Sequence, residues 1–265
     1  MPAAGLGERA EMLSAEVSTF GQQARLAVAL SFVGGFTNAV AFVAGRNFVS
    51  HMTGNSTMVG LAAVGTSWGE LAFYGGLVGA FGIGAVTSAI MTELAIRRGA
   101  PRARYILPVA VEAALLTGLT LWLGAGEAAM GQGWLFAAAF AMGLQNATIT
   151  RISGAVVRST HLTGVVTDLG IEGVQMALYL LDRRRRWRGL LSAGRVLRLT
   201  QRHPTGQRLA LLACIWTSFV VGAGLGAAGF AHAGGRALLA PVAVLLALVV
   251  VTYRNVRRRA ERADS

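Results

Sequence analysis

Two short motifs carry the side chains best suited to bind something small. His51-Met52-Thr53-Gly54 and His161-Leu162-Thr163-Gly164 set an imidazole, a hydroxyl and a glycine in the same order at two places in the chain. An imidazole can donate, accept or carry charge near neutral pH. Thr53, Asn55, Ser56 and Thr163 are residue types that begin helices, so each motif reads as a loop running into a helix start. Such a start presents unpaired N–H groups and partial positive charge. Two of them, each beside a histidine, suit a polar or anionic solute. The plainer alternative is that both histidines sit at an interface and only cap helices. Asn38 and Asn146, three residues after Gly35 and Gly143, could contact a solute, fix the loops, or join helices by hydrogen bonds.

Carboxyls supply the second kind of chemistry. Asp168 and Glu172 are four apart and share one helix face. Glu112 lies eight residues past Arg104, about 12 Å along a helix. Acids at such depth are costly and suggest proton relay or cation binding. Asp168 and Glu172 could instead pair with arginines on the inner side, or their segment could lie flat. Glu93, one turn from Arg97, reads as a salt bridge. Arg183, Arg184, Arg185 and Arg186 with Trp187 could hold anionic lipid headgroups, or simply fix topology. No His-Glu-x-x-His, Walker loop or Cys-x-x-Cys occurs, so no catalytic residue, cofactor or enzyme activity is expected. Four His and one Cys make a metal site unexpected; His51 with His161 and acids would be the only set.

The elements that position these residues are apolar. The chain is 54% hydrophobic and 14% charged over 265 residues, against about a quarter charged for a soluble domain. A span needs roughly 20 apolar residues. Six stretches qualify or nearly do: Leu26–Ala44, Leu71–Ile96, Tyr105–Gly124, Gly131–Thr150, Leu209–Ala231 and Ala237–Tyr253. In lipid each must be helical. Gly75/Gly79 and Gly222/Gly226 predict close helix approach. The net charge is +12, carried by 24 arginines with no lysine. These lie between apolar blocks, which argues for topology and against nucleic acid as partner. Cys214 is the single cysteine, so no internal disulfide forms. Met1–Gln23 is mixed polar and does not read as a cleaved leader.

With six spans and both termini cytoplasmic, 22 arginines fall inside and Arg46 and Arg236 outside, as the positive-inside rule requires. Phe48–Thr66 and Ser159–Leu181 are semi-apolar. If both crossed, the split would be 16 to 8; if only the second, 15 to 9; if only the first, 21 to 3. The halves also match in order: Gly35–Ala39 with Gly143–Ala147, His51–Gly54 with His161–Gly164, Gly82–Ala85 with Gly224–Ala227, Pro108–Val111 with Pro241–Val244. Equivalent segments should behave alike, so both semi-apolar segments are expected to be re-entrant. Arg151–Arg158, eight residues, extends about 26 Å, enough to reach mid-membrane. Three spans per half make the second half inverted, and re-entrant segments from opposite sides would bring His51 and His161 together near the centre. The expected fold is thus an all-α integral membrane protein of about six transmembrane helices in two inverted three-helix repeats, each with a re-entrant or interrupted segment. The division is a cytoplasmic segment 1–23, a membrane domain 24–253 (halves 24–124 and 131–253, with a basic loop 182–208) and a basic tail 254–265.

Gly34-Gly35-Phe36-Thr37-Asn38 followed by Phe48-Val49-Ser50-His51-Met52-Thr53-Gly54-Asn55 resembles the signature of the YoaK-like family of bacterial membrane proteins, domain of unknown function 1275. The resemblance extends over most of Leu26–Tyr253. It implies six spans in a bacterial inner membrane and supplies no site residues. The functional expectation is a transport protein for a small polar or anionic solute, with proton coupling as an option. A membrane-embedded enzyme or lipid-modifying protein, and a scaffold binding lipid or a partner, are the alternatives. Oligomeric state and solute identity are not specified.

Overall fold

The computed structural model describes residues 6–99, 105–124, 131–152, 162–186 and 192–261. Every regular element among them is helical: α1 Leu6–Gly45, α2 Met52–Val64, α3 Trp68–Arg97, α4 Ile106–Gly124, α5 Gln132–Ile152, α6 Leu162–Arg186, α7 Ala193–Arg202, α8 Pro204–Ala233, a 3-10 turn Gly234–Leu238, and α9 Leu239–Glu261. The chain is an all-α membrane protein. Ala24–Gly45, Trp68–Arg97, Ile106–Leu123, Leu162–Arg184 and the two-helix stretch Pro204–Asn255 are long and apolar enough to cross a bilayer. Several hydroxyls in these helices find a partner within their own helix. Ser31, Thr87, Thr92, Thr117 and Thr120 each bond the carbonyl four residues back, a local solution available in any helix.

The sixth expected span, α5, falls short of that apolarity for a structural reason. It packs against α1, α3 and α4, and Trp134, Ala138, Met142, Leu144, Gln145 and Ile149 are all buried. Protein rather than lipid surrounds it, so it tolerates Gln145 and Thr148.

The two halves interlock. The first helix of each packs mainly against the third of the other: α1 on α8, and α5 on α3. Glycines make both crossings. A β-carbon on Gly35 would overlap the Phe219 carbonyl, and one on Gly222 would overlap that of Phe32. At the other crossing Gly143 meets the Phe81 carbonyl and Gly84 that of Phe140. The crossings are one geometry built twice. Phe32 and Gly35 map onto Phe140 and Gly143 with a spacing of 108 (32 to 140, 35 to 143). Phe81 and Gly84 map onto Phe219 and Gly222 with a spacing of 138 (81 to 219, 84 to 222). This moves one sequence match: Gly84 corresponds to Gly222, not to Gly226. Glycines at 222, 224 and 226 let the alignment slide by a helical turn. Gly226 does take part in the close approach, against Phe36, whereas Gly75 and Gly79 face open space and make no helix contact.

Register gives direction. Gly76 lies on Phe136, Ser88 Oγ is 2.8 Å from Thr148 Oγ1, and Glu93 pairs with Arg151, so α3 and α5 run parallel. Gly45 lies on Leu135 while Gln145 Nε2 donates to the Leu30 carbonyl, so α1 runs opposite to α5. Ser218 bonds the Val28 carbonyl and Gly226 meets Phe36, so α8 runs with α1. The third helix of one half is therefore inverted relative to that of the other. This register gathers Arg97, Arg98, Arg151, Arg208 and Arg254 at one end of the molecule and leaves Arg46 and Arg236 at the other.

Candidate functional site

The first His-x-Thr-Gly motif sits where the chain has turned back into the bundle. α1 ends at Gly45, with Arg46 in left-handed backbone (φ 58°) and the Asn47 amide donating to the Gly45 carbonyl (3.1 Å). Four residues later the Ser50 N–H donates to Asn38 Oδ1 (3.1 Å). Asn38 is two turns before the end of α1, so the loop has descended about 10 Å. Asn55 Nδ2 donates to the Phe48 carbonyl (3.1 Å), Phe48 stacks on Phe42 (4.3 Å), and Val49 is fully buried. From this pinned loop α2 rises against α3, joined to it through Gly65–Ser67 with Thr66 in left-handed backbone. The segment 48–66 is therefore re-entrant, a descending loop and a returning helix.

The second motif follows the same plan where it is described. Glu172 pairs with Arg208 (3.1 Å) and the Tyr179 ring packs tilted against that of His203 (4.3 Å), so α6 runs antiparallel to α8. Leu162 is ten residues before Glu172, which puts it level with Ser218, halfway along α8. Although α6 has the length of a span, its first half alone lies beside α8, and the rest projects past the start of α8. Matching bonds recur at both helix starts: Thr57 Oγ1 to the Thr53 carbonyl (3.0 Å) and Thr167 Oγ1 to the Thr163 carbonyl (2.9 Å).

The predicted solute residues divide by what they touch. His51 is exposed and makes no capping hydrogen bond. Its ring lies over Gly54, where a β-carbon would overlap it, and edge-on to Phe48 (6.3 Å). Thr53 and Thr163 are exposed. Asn38 and Asn55 are buried and engaged in holding the loop; Asn146 is half-buried and partnered. His161, Trp187 and the loop before α6 lie outside the described residues, as does the meeting of the two histidines. Among the described elements α2 and α6 pack on different helices, α3 and α8.

The carboxyls also separate. Glu93 bridges Arg97 (3.3 Å) and Arg151 (3.5 Å), as its spacing suggested. Glu172 is buried against Arg208, the pairing weighed from sequence as the structural option; Asp168 is half-buried one turn away. Arg183 lies over the Tyr179 ring (5.6 Å) and bonds its hydroxyl, and Arg184, Arg185 and Arg186 continue the helix. Glu112 is fully buried in α4, and no N–H or O–H of the described residues donates to either oxygen. Among the described residues no cluster of metal-ligating side chains occurs. Sequence reasoning passed over Gln145, which bridges α5 to α1, and Thr37. Both are buried with an unpartnered oxygen, and they occupy equivalent positions at the 108 spacing (37 to 145). That equivalence was the available signal.

Two interlocked inverted repeats, each with a helix that begins partway along a longer one, define an all-α polytopic membrane protein. Residues 26–251 match the family described as protein of unknown function (DUF1275), and the chain belongs to it. No curated protein and no solved structure matches the chain.

Proposed function

We propose that the protein transports a small polar or anionic solute, exposing a site near half-depth to each side in turn. The observation that carries this reading is that α2 and α6 begin partway along α3 and α8 and run toward opposite ends of the molecule. Non-helical backbone at membrane depth persists only where protein or a watery cavity surrounds it, and paired half-helices are a recurring way to hold a solute. We assign His51 and Thr53 on one half, with His161 and Thr163 on the other, to solute contact. Asn38, Asn55 and Asn146 hold the loops. The arginine-rich end, with both termini, faces the cytoplasm in this reading, across a bacterial inner membrane. Arg183–Arg186 and Trp187 meet anionic headgroups there. No catalytic role is assigned.

The test begins with thermal stability of the purified protein in nanodiscs, screened against small anions and polar metabolites. Stabilising compounds then go into proteoliposome counterflow. At least one should both stabilise and exchange. His51→Ala should weaken its binding about tenfold or more, the scale of a lost hydrogen bond to a charged group. A compound bound but never exchanged would make the protein a scaffold; one recovered chemically altered would make it an enzyme.

A further inference from the structure

Glu112 sits at the middle of the bundle. Tyr105 Oη donates to the Arg151 carbonyl (3.1 Å) at one end of α4, and Trp134 Nε1 donates to the Leu119 carbonyl (3.2 Å) toward the other. Glu112 is seven residues from both Tyr105 and Leu119, hence level with Met142 and Gly143 of α5, within a turn of the α3–α5 crossing. Gln145 is less than a turn away in depth. The register of Gly45 on Leu135 and Gln145 on Leu30 puts Thr37 level with about Phe140. The three side chains thus share a layer about 8 Å deep.

Among the described residues nothing charged faces that layer. α4 packs on α9, α5, the 3-10 turn and α3. Among the described side chains, their titratable groups are Tyr253, Arg254 and Arg257 at the far end of α9, Arg151 at the end of α5, Arg236 in the turn, and Glu70, Tyr74, Glu93 and Arg97 toward the ends of α3. Arg151, the charge on α5, is about 13 Å away by helical rise. The position equivalent to Glu112 through the Pro108/Pro241 match is Leu245, fully buried, so the repeat carries this carboxyl once.

A carboxylate held here without a donor or a cation bears a large desolvation penalty. A carboxylic acid does not, and it brings its own donor. It then needs acceptors, and Thr37 Oγ1 and Gln145 Oε1 are buried oxygens without partners in the same layer. We propose that Glu112 is a proton-binding site, holding one proton at half-depth in the closed arrangement and exchanging it with water only when the helices around α4 part. Joined to the transport reading, on which this clause alone rests, that proton is the coupling ion.

Infrared spectroscopy of the full chain in nanodiscs near neutral pH tests the site. The wild type should show the carbonyl band of a protonated carboxylic acid, shifting slowly in D2O, and Glu112→Gln should lack it. A band kept in Glu112→Gln, or missing from wild type, overturns the proposal. Should Glu112→Gln fail to fold, Glu112→Asp must move the band's frequency, and an unmoved band overturns it equally. Melting in NaCl should match melting in choline chloride. A sodium-specific rise present in wild type and lost in Glu112→Gln would make this a metal-cation site and also overturn the proposal. These readouts involve no solute, so failure here leaves the transport reading standing, and absent counterflow leaves the infrared result intact.

Discussion

At the scale of single residues, asparagines do the work that lets backbone leave a helix inside the bundle. Asn38 satisfies the Ser50 N–H, and Asn55 satisfies the Phe48 carbonyl. A buried backbone group without a partner costs about 1–3 kcal/mol, so Asn38→Leu should loosen the loop by that amount. Hydrogen exchange of a peptide covering 46–52 should rise while α3 stays protected, and Asn38→Asp, which keeps the acceptor, should restore much of the protection. Unchanged exchange in Asn38→Leu would mean that packing of Val49 and Phe48 alone holds the loop. The sequence marked Asn38 as polar in an apolar stretch, but could not say which of three roles it fills. That depends on how far the following loop descends, a tertiary fact. For Glu172 the partner, Arg208, is 36 positions away, and local spacing cannot reveal it. Removing Arg208 leaves Glu172 buried and unpaired, so Arg208→Gln should destabilise more than the double variant Arg208→Gln/Glu172→Gln. Chemical melts of the three proteins would read the order directly.

Among the elements, glycine content was legible but glycine function was not. Gly75/Gly79 and Gly222/Gly226 have the same spacing, yet one pair faces open space and the other meets α1. Spacing reports that a helix has a small-residue face; only the fold reports which way that face points. Gly84→Val and Gly222→Val should each cost at least about 1–3 kcal/mol by overpacking. Gly75→Val and Gly79→Val, with nothing to strike, should stay within roughly 0.5 kcal/mol. Thermal stability in one detergent suffices for the comparison, and equal losses in all four would refute the assignment of crossings. The re-entrant nature of α2 was readable because two independent signals agreed: arginine distribution and internal repetition. The length of α6 was not, since nothing in its composition separates a span from a half-span that continues past its partner.

For the molecule as a whole, the arginines predict sidedness and the register agrees that they share an end. Cysteines at Arg98 and Gly194, in a Cys214→Ala background, should be shielded from an impermeant reagent in intact cells, and a cysteine at Arg236 should be labelled. Labelling at position 194 from outside would break the inverted arrangement. The interlocked halves also constrain how the protein is made. Gly35 of α1 waits for Phe219 of α8, which the ribosome adds 184 residues later (35 to 219), roughly 10–40 s at ordinary elongation rates. Until Ile152 is added the first half has neither of its main helix partners, and from then until α8 is made it has α5 alone, because both belong to the second half. A nascent first half is therefore an open clasp in the bilayer, exposed to membrane proteases and to premature pairing with another copy. Expressed as two pieces divided between α4 and α5, each piece alone should be degraded, while both together should reassemble and survive.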